Sequence, residues 1–227
     1  MVIAVQQPYF CPYPGYFYRI LKADMIVLLD VVQFPRGITW TSRNRFKNDQ
    51  GTLWLTVPVH KKGLGFQPLD AVRIFRDRKY PRKHLASLRH AYGHAPFFRD
   101  HYPFLEAIMR SGTEHLCELN IPIIRYVADY LGVTTTIRRS SDMPIRAKGT
   151  ALLLDICRHT GANQFLIPRS ARRHLDEPAF RNAGIFLQTY RLPTWTYPQL
   201  WGDFLPNLSI FDMLFNLGPK TAELLRS

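Results

Sequence analysis

IAVQQPYFCPYPGYFYRILKADMIVLLDVVQF, residues 3–34, places two short apolar runs on either side of one helical segment. Residues 2–5 are too few for a helix and β-branched enough for a buried strand. Gln6 and Gln7 end that run, and a loop stiffened by Pro8, Pro12 and Pro14 follows. After Gly15, Tyr16, Phe17, Ile20 and Leu21 recur at helical spacing up to Ala23. A second buried strand, residues 25–29, ends at Asp30, with Gln33 just beyond. The pattern predicts a βαβ unit with a compact crossover, residues 2–5 and 27–29 being adjacent parallel strands. Ligands of parallel sheets collect outside the carboxyl ends of the strands. Here those ends carry Gln6, Gln7, Asp30 and Gln33 among Tyr9, Phe10, Tyr13 and Phe34, polar groups in an aromatic frame that suit a small-molecule site. The same side chains could instead satisfy backbone groups or cap a helix. The loop has one glycine and matches neither GxGxxG nor GxxxxGK[ST], so it is no nucleotide fingerprint.

The chain has 227 residues, 46% hydrophobic and 13% aromatic, enough for a sizeable core and against disorder. It reads as one α/β domain over residues 1–227, with a helical subregion at about 79–131. No apolar run approaches the ~20 residues that span a bilayer, so no membrane span is expected. The N-terminus lacks the basic region and cleavage site of a signal peptide. Cys11, Cys117 and Cys157 are odd in number and far apart, as reduced thiols of a cytoplasmic protein would be. The formal net charge of +13 calls for an anionic partner: nucleic acid, a membrane surface or a phosphorylated small molecule. The basic residues fall in dispersed clusters, at 43–47, 73–89, 138–139 and 169–173, rather than in one stripe. Dispersed clusters in a folded chain are more often solvated faces than a binding stripe, so nucleic acid is the lesser expectation beside a small anionic or phosphorylated substrate. Oligomeric state is left open.

Farther on, residues 40–46 and 53–59 read as strands about the turn Asn48-Asp49-Gln50-Gly51, a hairpin insertion that puts Arg43, Asn44 and Arg45 near its start. Arginine donors fit carboxylate or phosphate in pairs, though an outward alternation would leave Arg43 and Arg45 in solvent. Residues 69–75 read as another strand; 79–92, 101–110 and 114–131 read as helices. His90, His94 and His101 have tempting spacing, but Gly93 ends the helix between the first two and no HExxH accompanies them, so no metal is expected. Strands at 134–139, 163–167 and 185–190, with a helix at 148–160, resume the α/β alternation. The fold expected is therefore α/β, with a mainly parallel sheet begun by the N-terminal βαβ unit. Near the end, Asp212 and Asn216 share a helix face four residues apart, serving either a site or internal hydrogen bonding.

QPYFCPYPGYF, ADMIVLLDVVQF, SRNRFK, WLTVPV, KHLASLRHAY, LLLDICRHTGANQFL, HLDEPAFRNAGIFLQTY and LSIFDMLFNLG, in this order and spacing, resemble the WbqC-like protein family along nearly the whole chain. The resemblance implies a link to O-antigen, a lipopolysaccharide component, and to other surface-polysaccharide biosynthesis, with transfer of glycine or another amino acid to a sugar. The positions matching the family's motifs include Gln7, Tyr9, Asp30, Gln33, Arg43, Asn44, Arg45, Asp212 and Asn216. The sequence departs from it at Gln6, where the family commonly has His, at Val31, where it has a second Asp, and at Ile167-Pro168, where it has a Ser-Gly loop. These departures leave open an altered substrate or lost activity, and with it a scaffold role in a glycan-assembly complex.

Joining an amino acid to an amino sugar or nucleotide sugar requires an activated carboxyl, either from ATP or from a carrier. No P-loop and no nucleophilic Ser or Cys motif is present, so no cofactor is fixed and ATP stays open. Phosphate charge could be held by a helix N-terminus with basic groups. On this reading Asp30 and Arg43 are the candidate catalytic residues, Asp30 orienting an amine or hydroxyl and Arg43 binding phosphate or carboxylate. Gln7, Tyr9, Gln33, Asn44, Arg45, Asp212 and Asn216 are candidate substrate-binding residues, with Asp30, Gln33, Gln7 and Arg43 expected in one cleft. A non-catalytic basic protein that binds nucleic acid is the reading from another class.

Overall fold

The structure is a computed structural model of residues 1–227, in which Arg36, Ile38, Arg78 and the side chain of His174 lie outside the described residues. Two positions of the 35–41 loop and one of the 73–89 basic cluster are among those excluded. β1 (Val2–Gln6), α1 (Pro14–Leu21) and β2 (Met25–Leu28) form the expected βαβ unit. β1 and β2 pair in parallel with Val5 opposite Val27. The hairpin β3 (Arg43–Asn48) and β4 (Gly51–Thr56) follows as a separate antiparallel pair. Next come α2 (Arg82–Tyr92), α3 (Phe98–Arg110), α4 (Leu116–Tyr130) and β5 (Thr136–Arg139). The chain continues through α5 (Gly149–Thr160), β6 (Gln164–Pro168), α6 (Glu177–Asn182) and β7 (Phe186–Tyr190) to α7 (Ile210–Leu217) and α8 (Lys220–Arg226). The main sheet runs β5-β2-β1-β6-β7 with every pairing parallel.

Alternation along the strands decides which helix goes where. Ala4, Ile26, Leu28 and Leu166 face one core, shared with Phe17 and Ile20 of α1, the hairpin, α2 to α4 and α7. Ile3, Val27, Phe165 and Ile167 face the other, against Leu152 and Ile156 of α5 and Phe180 of α6. Both faces are covered, which is why the strands read as continuous apolar runs. Strand order reverses between β1 and β6, the arrangement of a doubly wound sheet.

Residues 69–75 do not form the expected strand. Leu69–Ala71 is a single 3-10 turn, followed by isolated bridges from Arg73 to His115 and from Ile74 to Val59. The amides of Leu69 and Asp70 donate to the carbonyls of Val32 and Asp30, and that of Ile74 to Glu114. With its hydrogen bonds spread over three partners, the segment cross-links rather than joining one ladder. The hairpin also sits later than expected at its first strand, because Asn48 and Gly51 close its turn, the Asn48 side chain accepting from the Gln50 amide. Lys47 is buried on this hairpin, and its Nζ donates to Asp203 O at 2.6 Å and Gln199 Oε1 at 3.1 Å, fastening the C-terminal segment.

Gly218 ends α7 with φ +54° and ψ −127°, a region closed to side-chain-bearing residues. A Cβ there would lie 2.5 Å from the Phe97 ring, whose own amide donates to Phe215 O. Gly218→Ala is expected to lower stability by about 2 kcal/mol, read as a shift of the urea midpoint.

Candidate functional site

A cleft of about 670 Å³ opens beyond the carboxyl end of β2, lined by residues 31–33, 66–68, 145–149 and Leu152. Its polar groups are Gln33, Gln67, Arg146 and Lys148, and its apolar wall includes Val32, Phe66, Ile145 and Leu152. Gln33 is brought in by an isolated bridge to Pro68. Lys148 and Gly149 open α5, whose cap position carries no side-chain hydrogen bond. The first amides of that helix therefore lack intrahelical partners, and the positive end of its dipole meets the cleft. Two cations, two amides and a helix start on an apolar floor suit a phosphate-bearing ligand.

Asp30 lies behind the cleft wall, 0% exposed. Arg139 Nε donates to its Oδ2 at 2.6 Å, Ser141 Oγ to the same oxygen at 2.7 Å, and Ser140 Oγ and the Ser141 amide to Oδ1 at 2.8 and 2.9 Å. Burial pushes the carboxyl up, but the donors from Ser141, Arg139 and Ser140 outweigh it and hold the group below its ordinary range. The carboxylate is saturated, so it has no lone pair left for substrate. Its role here is to fasten the end of β2 to the end of β5 and to aim Arg139, whose side chain is 34% exposed.

Asp30 thus pairs with Arg139, and not with the Arg43 expected in the same cleft. β5 pairs beside β2 with Arg139 opposite Leu28, which delivers that arginine to the strand end. Arg43 instead places its guanidinium 3.7 Å above the Trp54 ring on the hairpin. Arg45 donates to the carbonyls of Pro206 and Asn207, with its guanidinium 5.8 Å from the Trp40 ring. Trp40 and Trp54 stack on one another at 5.8 Å, and both stay exposed. Buried Asn44 donates to the carbonyls of Phe10 and Cys11, fixing the proline-rich loop to the hairpin.

Gln7 presents its carbonyl to the Tyr16 hydroxyl at 3.1 Å, and Tyr9 packs on Tyr16 at 5.6 Å. Neither lines the cleft. Gln6 is buried and donates to the Tyr16 carbonyl, so position 6 faces α1. Arg19 ties Val5 O on β1 to the Tyr190 hydroxyl on β7. Asp212 is buried and accepts from the Tyr92 hydroxyl at 2.8 Å; burial raises its pKa, and hydrogen bonds from Tyr92 and Tyr197 offset part of that. The Asn216 side chain donates to the Asp212 backbone carbonyl, an intrahelical bond. His101 is buried and pairs through Nδ1 with the Tyr126 hydroxyl. Among the described residues no cluster of three or more His, Cys, Asp or Glu could hold a metal.

Of the residues expected from sequence, the cleft contains Gln33 alone. Sequence reasoning does not single out Gln67, Arg146 and Lys148, which line the cleft, or Arg139 as the partner of Asp30. The signal for Arg146 and Lys148 was the run Arg146-Ala147-Lys148-Gly149 before a helix, a basic approach to an uncapped N-terminus.

These features define a doubly wound α/β protein with a basic, amide-lined cleft at the carboxyl edge of its sheet. The chain belongs to the WbqC-like protein family, whose model matches residues 7–224. It is 30% identical over 226 residues to the uncharacterized protein Rv1507c of Mycobacterium tuberculosis, covering 99% of this chain and 97% of that protein. No solved structure matches the chain. Among the described residues no helix is long and apolar enough to cross a membrane, and the three cysteines are free and buried.

Proposed function

We propose that the protein joins an amino acid, glycine in the simplest case, to an amino sugar or nucleotide sugar during surface-polysaccharide biosynthesis. The observation that carries this is the cleft beyond β2, where Arg146, Lys148 and the start of α5 offer charge to a phosphate while Gln33 and Gln67 offer amides to a sugar. Its about 670 Å³ lies in the range of small-molecule sites. The sugar amine attacks the activated acyl carbon, a C–N bond forms, the bond to the phosphate or carrier breaks, and the amine gives up a proton. Catalysis of this kind rests on positioning and on stabilising the leaving group's charge, which Arg146 and Lys148 supply. Asp30 contributes by holding the ends of β2 and β5 together beside the cleft. The test is incubation with ATP, glycine and a panel of nucleotide amino sugars, read by mass spectrometry. A glycyl mass increment on one acceptor is expected, and no increment in any combination overturns the reading.

The outer face of the hairpin favours a second reading, a nucleic-acid-binding protein. Exposed, stacked Trp40 and Trp54 beside Arg43 and Arg45 are the elements of a single-strand platform. Under the transferase reading, random single or double strands bind no tighter than about 10⁻⁶ M at physiological salt, measured by fluorescence anisotropy. Nanomolar affinity with a steep salt slope would favour nucleic acid instead.

A further inference from the structure

Residues 60–67, HKKGLGFQ, form a closed loop whose base is a hydrogen bond from the Gln67 side chain to the His60 carbonyl at 3.0 Å. Gly63 and Gly65 take positive φ on either side of Leu64. Leu64 is 51% exposed and Phe66 66% exposed. Phe75, 47% exposed, joins them at the base, where its ring meets His60 at 5.2 Å and its amide donates to Pro58 O. Three large apolar side chains on two neighbouring loops are more than scattered surface residues. Lys61 and Lys62 flank the tip, and among the described residues neither has a carboxylate within ion-pair distance, whereas Arg73 is paired to Glu114 at 2.7 Å. Phe66 and Gln67 at the same time line the cleft.

We propose that this loop docks the protein on an anionic lipid bilayer, with Leu64 and Phe66 entering the headgroup region and Lys61 and Lys62 meeting lipid phosphates. The chemistry separates this occupant from the others. Leu64 has no ring for a base to stack on, so the tip does not suit nucleic acid. A second copy would bring the same lysines face to face on a chain of net charge +13. An apolar tip with lysine shoulders matches the boundary between acyl chains and anionic headgroups. Docking there sets the Phe66 wall of the cleft at the bilayer surface, where amphiphilic substrates are reached. The inference does not depend on the reaction in the cleft.

The test is co-sedimentation of the full chain with vesicles of phosphatidylcholine alone and of phosphatidylcholine mixed with phosphatidylglycerol in about equal amounts. Binding to the mixed vesicles is expected. Leu64→Ser with Phe66→Ser should weaken partitioning at least about ten-fold, and Lys61→Gln and Lys62→Gln about five-fold each. All these side chains are exposed, so circular dichroism should be unchanged in every variant. Because the native cysteines are buried, a polarity-sensitive dye on Leu64→Cys reports the tip specifically. Its emission should shift blue with mixed vesicles only. Equal binding to both vesicle types, full binding by the double serine variant, or an unshifted dye on bound protein would overturn the proposal. So would a blue shift caused by protein concentration or by single-stranded nucleic acid without vesicles.

Discussion

Asp30→Ala lowers the unfolding free energy by about 3 kcal/mol, the low end for breaking a buried ion pair because Arg139 keeps contact with water. The carboxylate accepts from Arg139, the Ser140 and Ser141 hydroxyls and the Ser141 amide, and its removal strands donors at the joint between β2 and β5. Urea denaturation should show a lower midpoint with an unchanged slope. The pH dependence identifies the group. Its folded pKa is depressed, so its stabilisation is fully present above the unfolded value of about 3.9 and is lost as pH falls through the folded value. The gap between wild type and variant should therefore stay constant from neutrality to about pH 5 and close only in stronger acid. Asp212 runs the other way: burial raises its pKa, so its charged form is a burden at neutral pH that is relieved on acidification. A gap that widened as pH fell would mean Asp30 is not the ionised, donor-saturated group described. Asp30→Asn should lose less, since an amide oxygen still accepts.

The parallel pair, its crossover and the later α/β alternation were readable because each is written in local periodicity. Two apolar runs covered on both faces leave little choice of structure. What could not be read was lateral order. Residues 134–139 looked like a strand, but nothing local says that it pairs with β2, so nothing local gave Asp30 its partner Arg139. The same gap separates Arg43 from the place expected for it beside Asp30: its neighbour is an indole on the opposite hairpin strand, not a carboxylate on the main sheet. Gln33, just past the strand end, lines the cleft, while Gln67 reaches it because the bridge from Gln33 to Pro68 brings in a segment distant in sequence. Residues 69–75 have strand-like composition, yet their amides serve three different segments. Asn44, beside Arg43 near the hairpin start, and Asp212 and Asn216, on one helix face of an apolar segment, find their partners in carbonyls and a tyrosine within the core.

Arg146→Ala combined with Lys148→Ala should weaken binding of a nucleoside-diphosphate amino sugar about a hundred-fold, measured by calorimetry at low salt. Each side chain would donate charge-assisted hydrogen bonds to phosphate, and the lower end of their range, about 1.5 kcal/mol each, compounds to that factor. The low end applies because both side chains are exposed in the open cleft and stay hydrated until ligand arrives. Exposure also means the fold tolerates the change, so the urea midpoint should match wild type. Raising salt should shrink the wild-type advantage, since partly exposed charges are screened over about 10 Å at 0.1 M. Arg43→Ala is the control that places the site. With the phosphate held at the start of α5, losing a guanidinium stacked on Trp54 leaves affinity unchanged. If Arg43→Ala abolished binding and the cleft variant did not, the ligand would sit on the hairpin between Trp40 and Trp54, and the role given to Arg43 by sequence would be restored.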